Sequence, residues 1–437
     1  MVDMKTSPNK KKLRIAWFSD LESTSSKSQT RSAYTSKLLL PLLREKFDLN
    51  LFHNSFEKYQ NFPTYHALTA IERHESHPYD LFFYHLEDSP LSQWTRIHSC
   101  LMPGVGYFHD FLFTSFGPEP ILNSTWQTTL EKLHQPEVAW AIRNDEQFQS
   151  GPHAIREASF ASVRIFSQPG MLKEAARLVS LSPNPDLRTA QYYLPYPIEE
   201  SIFASTPKQT NRVLYCGSPW IQDRAHKVLQ AVHSFGSELE FIWLTSKEDL
   251  ETAQKLAEEF SVTNIEIIAQ KNLAKWKELI DGGGLAVHTL FSVFGQSGPF
   301  LEASLAAGLP TIVSNFGNSE YLPDNLVFKV QSGETEAAEI LEILKVVFEQ
   351  RALPDAELLK SYARENFDLQ VVAEELDLIF QAEASRLKAC MVEWEKFKAT
   401  AKQDLIKEAL SFLPALEFDL GIRNSLVDIY QELGWKI

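Results

Sequence analysis

Between Leu285 and Glu320 the chain reads LAVHTLFSVFGQSGPFLEASLAAGLPTIVSNFGNSE, and few folds accommodate that run. An apolar strand over 285–290 leads into a loop with Gly295, Ser297 and Gly298. A helix entered through Pro299 follows, then a stop at Gly308 and a second strand over 310–315. Proline suits the first helical position, where its missing N–H costs nothing, and glycine takes the left-handed conformation that ends a helix. Strand, small-residue loop and helix start together gather unpaired N–H groups on one spot, which makes an anion cradle. Leu301 and Leu305 repeat at one helical turn, while Ala303, Ala306 and Ala307 permit close packing. Glu302 is the odd residue, a carboxylate in the first turn beside the cradle. Acidic residues also favour positive helix ends for purely structural reasons.

A chain of 437 residues exceeds one ordinary core and sets an expectation of two to three domains. With 44% apolar residues it can bury large cores. The net charge of −15 argues against a broad nucleic-acid footprint while allowing a local basic pocket. Cys100, Cys216 and Cys390 are widely spaced and odd in number, which suits a reducing compartment and gives neither a disulfide framework nor a zinc pattern. Cys216 lies in an apolar run and reads as core. No apolar stretch approaches the roughly 18 residues that span a bilayer. Residues 1–12 form a basic segment without a cleavage-site pattern, read as a disordered tail of a cytoplasmic protein. Lys10, Lys11 and Lys12 would allow at most transient contact with an anionic membrane.

From Leu13 onward strands and helices alternate. The first unit has strands at 13–19, 49–53, 80–85, 105–108 and 162–167. Its helices carry Leu38, Leu39, Leu42 and Leu43, run around Tyr65 to Arg73, and cover 172–179, with further helical patches at 124–133 and 145–160. The second unit has strands at 213–216, 239–244, 264–268, 285–290, 310–315 and 326–330, separated by helices at 225–235, 247–260, 273–280 and 335–348. Such alternation predicts an α/β chain of two doubly wound, Rossmann-like domains facing a cleft, with extra C-terminal helices. Ligands on such sheets bind beyond the carboxyl ends of the strands. The expected division is a tail at 1–12, a first domain at 13–198, a linker at 199–211, a second domain at 212–360 and helices at 361–437. In the last segment Leu410, Phe412, Leu413 and Leu416 read as a face packed on the body.

With both halves laid out, the chain resembles the family 4 glycosyltransferases of the glycosyltransferase B fold, over roughly residues 13–380. The resemblance is carried by GPFLEASLAAGLPTIVSNFGNSEYLPD, by IAWFSD entering a helix with Tyr34 and LLPLL, by YHLEDSP, and by PGVGYFHDF. It implies retaining transfer from a nucleotide-diphosphate sugar, used as co-substrate, with no catalytic metal and no other cofactor. By the same resemblance Glu302 accepts both ribose hydroxyls of the donor, and Gly295, Gln296, Ser297 and Gly298 form the turn that approaches sugar and diphosphate. Gly217 and Ser218 follow the first strand of the second domain, and Arg224 lies within one residue of a phosphate-binding Lys. His109 lines the cleft near the transferred sugar, with Asp110 orienting it or capping the next turn. Thr30, Arg31 and Tyr34 belong to an acceptor or phosphate loop, where Arg31 would offer a charged fork in place of the usual glycine. Four positions depart from the pattern: Phe294 stands where the first motif Glu would be, Ser218 replaces an Arg, and Glu87 and Asp88 replace Gly and Asn.

The residues also carry plainer readings. His109 and Asp110 can be a satisfied polar pair at a strand end, and Arg224 and Lys227 can be solvated. The histidines, His85 and His288 included, show no metal-ligand spacing. The leading expectation is a glycosyltransferase acting on a saccharide, lipid or protein acceptor, with no nucleic-acid partner. The alternatives are a non-catalytic nucleotide-sugar-binding or partner-binding protein of the same fold and, more weakly, a nucleotide-sugar epimerase.

Overall fold

The computed structural model describes residues 12–21, 30–55, 57–110, 163–180, 190–208, 210–220, 223–290, 298–317, 319–396 and 398–399. The first half runs β1 (Arg14–Phe18), α1 (Arg31–Leu43), β2 (Asp48–His53), β3 (Thr64–His66), α2 (Ala70–Ser76), β4 (Leu81–Leu86), α3 (Gln93–Leu101) and β5 (Val105–Phe108). It continues with β6 (Val163–Phe166), α4 (Pro169–Ser180) and β7 (Ala190–Tyr193). These strands form one parallel sheet in the order β3-β2-β1-β4-β5-β6-β7. Ile15, Ala16, Trp17 and Phe18 are all fully buried. An uninterrupted apolar run becomes a strand covered on both faces, as a parallel sheet requires.

A short helix, α5 (Glu200–Phe203), leads to the second half: β8 (Arg212–Cys216), α6 (Ala225–Phe235), β9 (Glu240–Leu244), α7 (Leu250–Glu259), β10 (Ile265–Ile268), α8 (Leu273–Ile280), β11 (Leu285–His288), α9 (Phe300–Ala306), β12 (Thr311–Ser314), β13 (Phe328–Val330) and α10 (Glu336–Phe348). Its strands are also all parallel, in the order β10-β9-β8-β11-β12-β13. In both sheets the strand order reverses beside the first strand. The loops leaving β1 and β4, and those leaving β8 and β11, therefore diverge and open a crevice at the carboxyl edge.

Helix α9 ends as its sequence dictates. Gly308 has φ +74°. Leu309 N–H donates to Ser304 O at 2.9 Å and Gly308 N–H to Leu305 O at 2.9 Å, the paired bonds of a Schellman stop. A side chain at Gly308 would also meet Ala356 O at 3.0 Å. Gly284 is needed for a different reason, because its Cα passes against the carbonyl of Thr210 with no room for a Cβ.

Two further helices, α11 (Ala356–Phe367) and α12 (Leu369–Trp394), complete the described chain. Leu359, Ala363 and Phe367 of α11 share an apolar cluster with Leu301 and Leu305 of α9. The chain then returns to the first sheet at Asp368, where it pairs with the outgoing segment: Ile198 N–H donates to Phe367 O at 2.7 Å and Leu369 N–H to Ile198 O at 3.1 Å. Helix α12 lies on the first core, with Phe380 against Phe47 and Phe83 at ring distances of 5.5 and 5.1 Å. The division expected between 360 and 361 falls inside α11. No helix among the described residues is long and apolar enough to cross a membrane.

Several segments differ from the sequence expectation, the unexpected strand β7 and helix α5 among them. Residues 64–66 pair with β2 as an edge strand, and the helix expected around Tyr65 starts at Ala70. Helix α3 is likewise unexpected, and it buries the polar Thr95, Arg96, His98 and Ser99 alongside Ile97. The helical patches at 124–133 and 145–160, and Leu410 to Leu416, lie outside the described residues.

Candidate functional site

At the carboxyl edge of the first sheet a buried polar cluster surrounds the start of α1. Thr30 caps the helix, its Oγ1 accepting Ala33 N–H at 3.1 Å. The two preceding amides go to Glu87: Arg31 N–H donates to Oε1 at 3.1 Å and Ser32 N–H to Oε2 at 3.1 Å. The Arg31 guanidinium turns the same way, with Nε on Glu87 Oε1 at 3.0 Å, Nη1 on the carbonyl of His109 at 3.2 Å and Nη2 on the Asp110 carboxylate. Asp110 also accepts Asp88 N–H at 2.8 Å. Burial works against every charge here. Arg31 and the amides nevertheless hold Glu87 below the usual carboxylate range, while burial wins at Asp110 and raises it. Arg31 is thus committed to the protein and presents no fork to a phosphate, which corrects the sequence expectation. Asp110 supports Arg31 and makes no hydrogen bond to the His109 ring.

The tautomer of His109 follows from its neighbours. Ser36 Oγ accepts Trp17 Nε1–H at 2.9 Å and spends its one proton on Ser19 Oγ at 2.8 Å. Toward His85 Nε2, 3.4 Å away, Ser36 can therefore act as acceptor alone, so His85 carries its proton on Nε2. His85 Nδ1 is then bare and takes the proton of His109 Nε2 across 2.8 Å. His109 Nδ1 is left as a lone pair with no hydrogen-bond partner among the described residues. Burial, helped at His109 by Arg31 and at His85 by His109, holds both rings well below the usual imidazole range, so both are neutral. His109 stacks on Tyr196, ring centroids 5.6 Å apart, and the Tyr196 hydroxyl lies close enough to that of Ser167 for the two to interact.

In the second domain Gly217 follows β8, and a Cβ there would collide with the Tyr215 hydroxyl, which is pinned by donating to Asp223 O at 2.7 Å. Ser218 N–H donates to Asp223 Oδ2 at 2.5 Å. Arg224 starts α6 from a left-handed backbone, φ 61°, and its side chain is buried against Glu336: Nε to Oε2 is 2.8 Å and Nη2 to Oε2 is 2.5 Å. Its charge is matched internally, a role the sequence does not suggest. Gly298 lies against the Phe300 ring, while Phe294, Gly295, Gln296 and Ser297 lie outside the described residues. Pro299 is the cap of α9 rather than its first residue.

Glu302 sits where the two halves meet. It is 7% exposed, and its Oε2 has no hydrogen-bond partner among the described residues. Burial pushes its pKa up to about 8, its own backbone N–H opposing weakly. Its charge is felt by Tyr34 on α1, Tyr107 on β5, Tyr193 on β7 and Tyr362 on α11, all raised above the ordinary phenol range, mainly by burial. Tyr34 joins the apolar cluster of Leu301 and Leu305, and its hydroxyl donates to Pro197 O at 2.7 Å on the crossing segment.

Lys271 escaped the sequence reading. It lies half-buried between β10 and α8 and makes no ion pair among the described residues. It is close enough to moderate the rise that burial imposes on Cys216, to about 12, and on Asp223. A lone basic residue just past a parallel strand was the available signal. Glu336 and His85 gave none, since their roles depend on distant partners.

Both sheets, their strand orders and the crossing segments define the glycosyltransferase B fold. Solved structures similar to the chain include a sucrose-phosphate synthase from Thermosynechococcus elongatus, 13% identical, with a TM-score of 0.61 and 86% of this chain and 100% of that one covered. Another is HepE from Anabaena in complex with UDP and glucose, 13% identical, with a TM-score of 0.58 and 85% and 100% covered. A third is WaaG, a glycosyltransferase involved in lipopolysaccharide biosynthesis, 15% identical, with a TM-score of 0.54 and 83% and 98% covered. No protein-family profile and no curated protein sequence matches the chain.

Proposed function

We propose that the chain is a cytoplasmic, retaining, metal-independent glycosyltransferase that moves a hexose-type sugar from a nucleotide diphosphate to an acceptor hydroxyl. The observation that carries this reading is Glu302, a buried carboxylate with an unpartnered oxygen at the junction of the two halves. Such a group needs O–H donors, and the vicinal diol of a ribose supplies two. HepE, of the same fold, has been captured with UDP and glucose, which supports the donor class. In this reading Gly217 lets the backbone approach the diphosphate, the 295–298 turn approaches the sugar, and His109 Nδ1 accepts a sugar hydroxyl. Lys271 supplies positive charge as the diphosphate leaves, a contact of a kind worth about 3 kcal/mol in comparable anion sites. Closure of the halves excludes water.

The test is nucleotide release from a panel of UDP-, GDP- and ADP-sugars with candidate acceptors. Release by the wild type and its loss in Glu302→Ala are expected. Unchanged release and unchanged nucleotide affinity in that variant would refute the donor-site assignment. A second reading, a binding protein without turnover, is favoured by the internal pairing of Arg31 and Arg224, the two cations the sequence offered for phosphate. Binding with no release for any donor would select it.

A further inference from the structure

The first-turn amides of a helix are a ready anion site, and α1, at 13 residues, is long enough to provide one. Here the chain supplies its own anion. Glu87, 5% exposed, takes the N–H groups of Arg31 and Ser32 on its two oxygens and the Arg31 Nε besides, so amides and guanidinium are spent together. Asp110 binds the far side of the same guanidinium, leaving one cation between two carboxylates and no positive excess. A phosphate brought here would find the Arg31 and Ser32 amides and the Arg31 guanidinium already engaged and would face Glu87 directly.

A second observation says what the same strand ends do accept. His109 Nδ1 is a buried lone pair without a partner among the described residues, fixed in that state through His85 and Ser36. A lone pair of this kind is satisfied by an O–H donor and repels a fully ionised phosphate group placed against it. We propose that Glu87 sets the charge class of the acceptor, closing the α1 amides to anions and restricting the first domain to uncharged, hydroxyl-bearing acceptors such as free or glycosidic sugars. Phosphorylated sugars are rejected. This rests on the transferase reading above for the word acceptor, while the anion-blocking role of Glu87 stands without it.

The experiment uses the full chain and matched acceptor pairs, each a neutral sugar and its phosphate ester, with nucleotide release as readout. The wild type is expected to favour the neutral member at least 100-fold in kcat/KM, equivalent to about 2.8 kcal/mol. Glu87→Gly, which frees both amides and the Arg31 Nε while Asp110 keeps its hold on Nη2, should cut that preference at least tenfold. In parallel, inorganic phosphate is titrated in thermal-shift experiments with nucleotide present to fill the second domain. Phosphate should stabilise Glu87→Gly and leave the wild type unmoved. Glu87→Gln, which keeps an oxygen for one amide, should respond between the two and serves if Glu87→Gly does not fold. A wild type that uses the phosphorylated member as well as the neutral one overturns the proposal. So does phosphate stabilising the wild type as strongly as the variants, or failing to stabilise either variant. Absence of release with every acceptor would overturn the transferase reading instead, and the phosphate titration would still decide the role of Glu87.

Discussion

Nucleotide-sugar binding should be coupled to loss of a proton from Glu302, and the pH dependence can be worked out from its environment. In the free protein burial holds this carboxyl at about 8. If the ribose diol is received by the ionised form, apparent affinity falls about tenfold per pH unit below 8, or about 1.4 kcal/mol per unit. Between pH 8.5 and 6 the expected loss is therefore roughly 100-fold, with about 0.9 proton released per ligand at pH 7. Other groups around the carboxyl leave that window clear. Tyr34, Tyr107, Tyr193 and Tyr362 are raised above the phenol range by burial, and His288, held by burial to about 3, and His109 stay neutral throughout. A nucleotide sugar is the right probe because its two diester phosphates do not titrate there. Isothermal titration calorimetry between pH 6 and 9, in buffers of different ionisation enthalpy, reads both slope and proton count, and Glu302→Gln should be flat. A pH-independent wild type, or equal slopes in wild type and variant, would refute the reasoning. The same shift has a stability consequence of opposite sign to an ordinary salt-bridged carboxylate. The folded state binds the extra proton, so stability from this group is full below the unfolded value near 4.5 and is lost as pH rises toward 8, by up to about 5 kcal/mol. Bound nucleotide sugar should restore part of it.

Four further outcomes are expected. Glu336→Ala removes the carboxylate that neutralises the buried Arg224 and should cost about 3–5 kcal/mol in urea unfolding. Gly308→Ala must hold φ +74° against the Ala356 carbonyl and should destabilise by at least about 1 kcal/mol, with weaker nucleotide binding because α9 carries Glu302. His85→Phe removes the acceptor of His109 Nε2–H. It should cost about 1–3 kcal/mol of stability and lower kcat more than it raises the donor KM, and an unchanged kcat would count against the tautomer assignment. Lys271→Ala should lower kcat about 100-fold in the nucleotide-release assay, while a chelator leaves the wild-type rate unchanged.

How far the sequence reaches depends on how local the physics is. The start, stop and neighbours of α9 are readable because Gly308 and its Schellman bonds lie within a few residues of one another. Helix α8, capped by Asn272 accepting Lys275 N–H at 2.9 Å, is readable for the same reason. Glu302 stands out because a carboxylate breaks an otherwise apolar pattern, although the burial that gives it an unpartnered oxygen depends on tyrosines from the other half. Arg31 and Arg224 show where such reading ends. Each looks like a free cation in its own stretch, yet the carboxylates that claim them are 56 and 112 residues away in sequence.

Those two pairings bear directly on chemistry. A diphosphate leaving group needs positive charge that is not already compensated, because an ion pair in a buried site has spent its field on its partner. With Arg31 held by Glu87 and Asp110, and Arg224 held by Glu336, Lys271 is the candidate among the described residues to supply that charge. A transferase with this arrangement works with a small positive endowment. Its rate should then be more sensitive to loss of Lys271 than to any substitution at Arg224 that leaves the fold intact, and Glu336→Gln, which releases the Arg224 charge while keeping its shape, should raise donor affinity. If Glu336→Gln folds and donor affinity does not rise, Arg224 is purely structural.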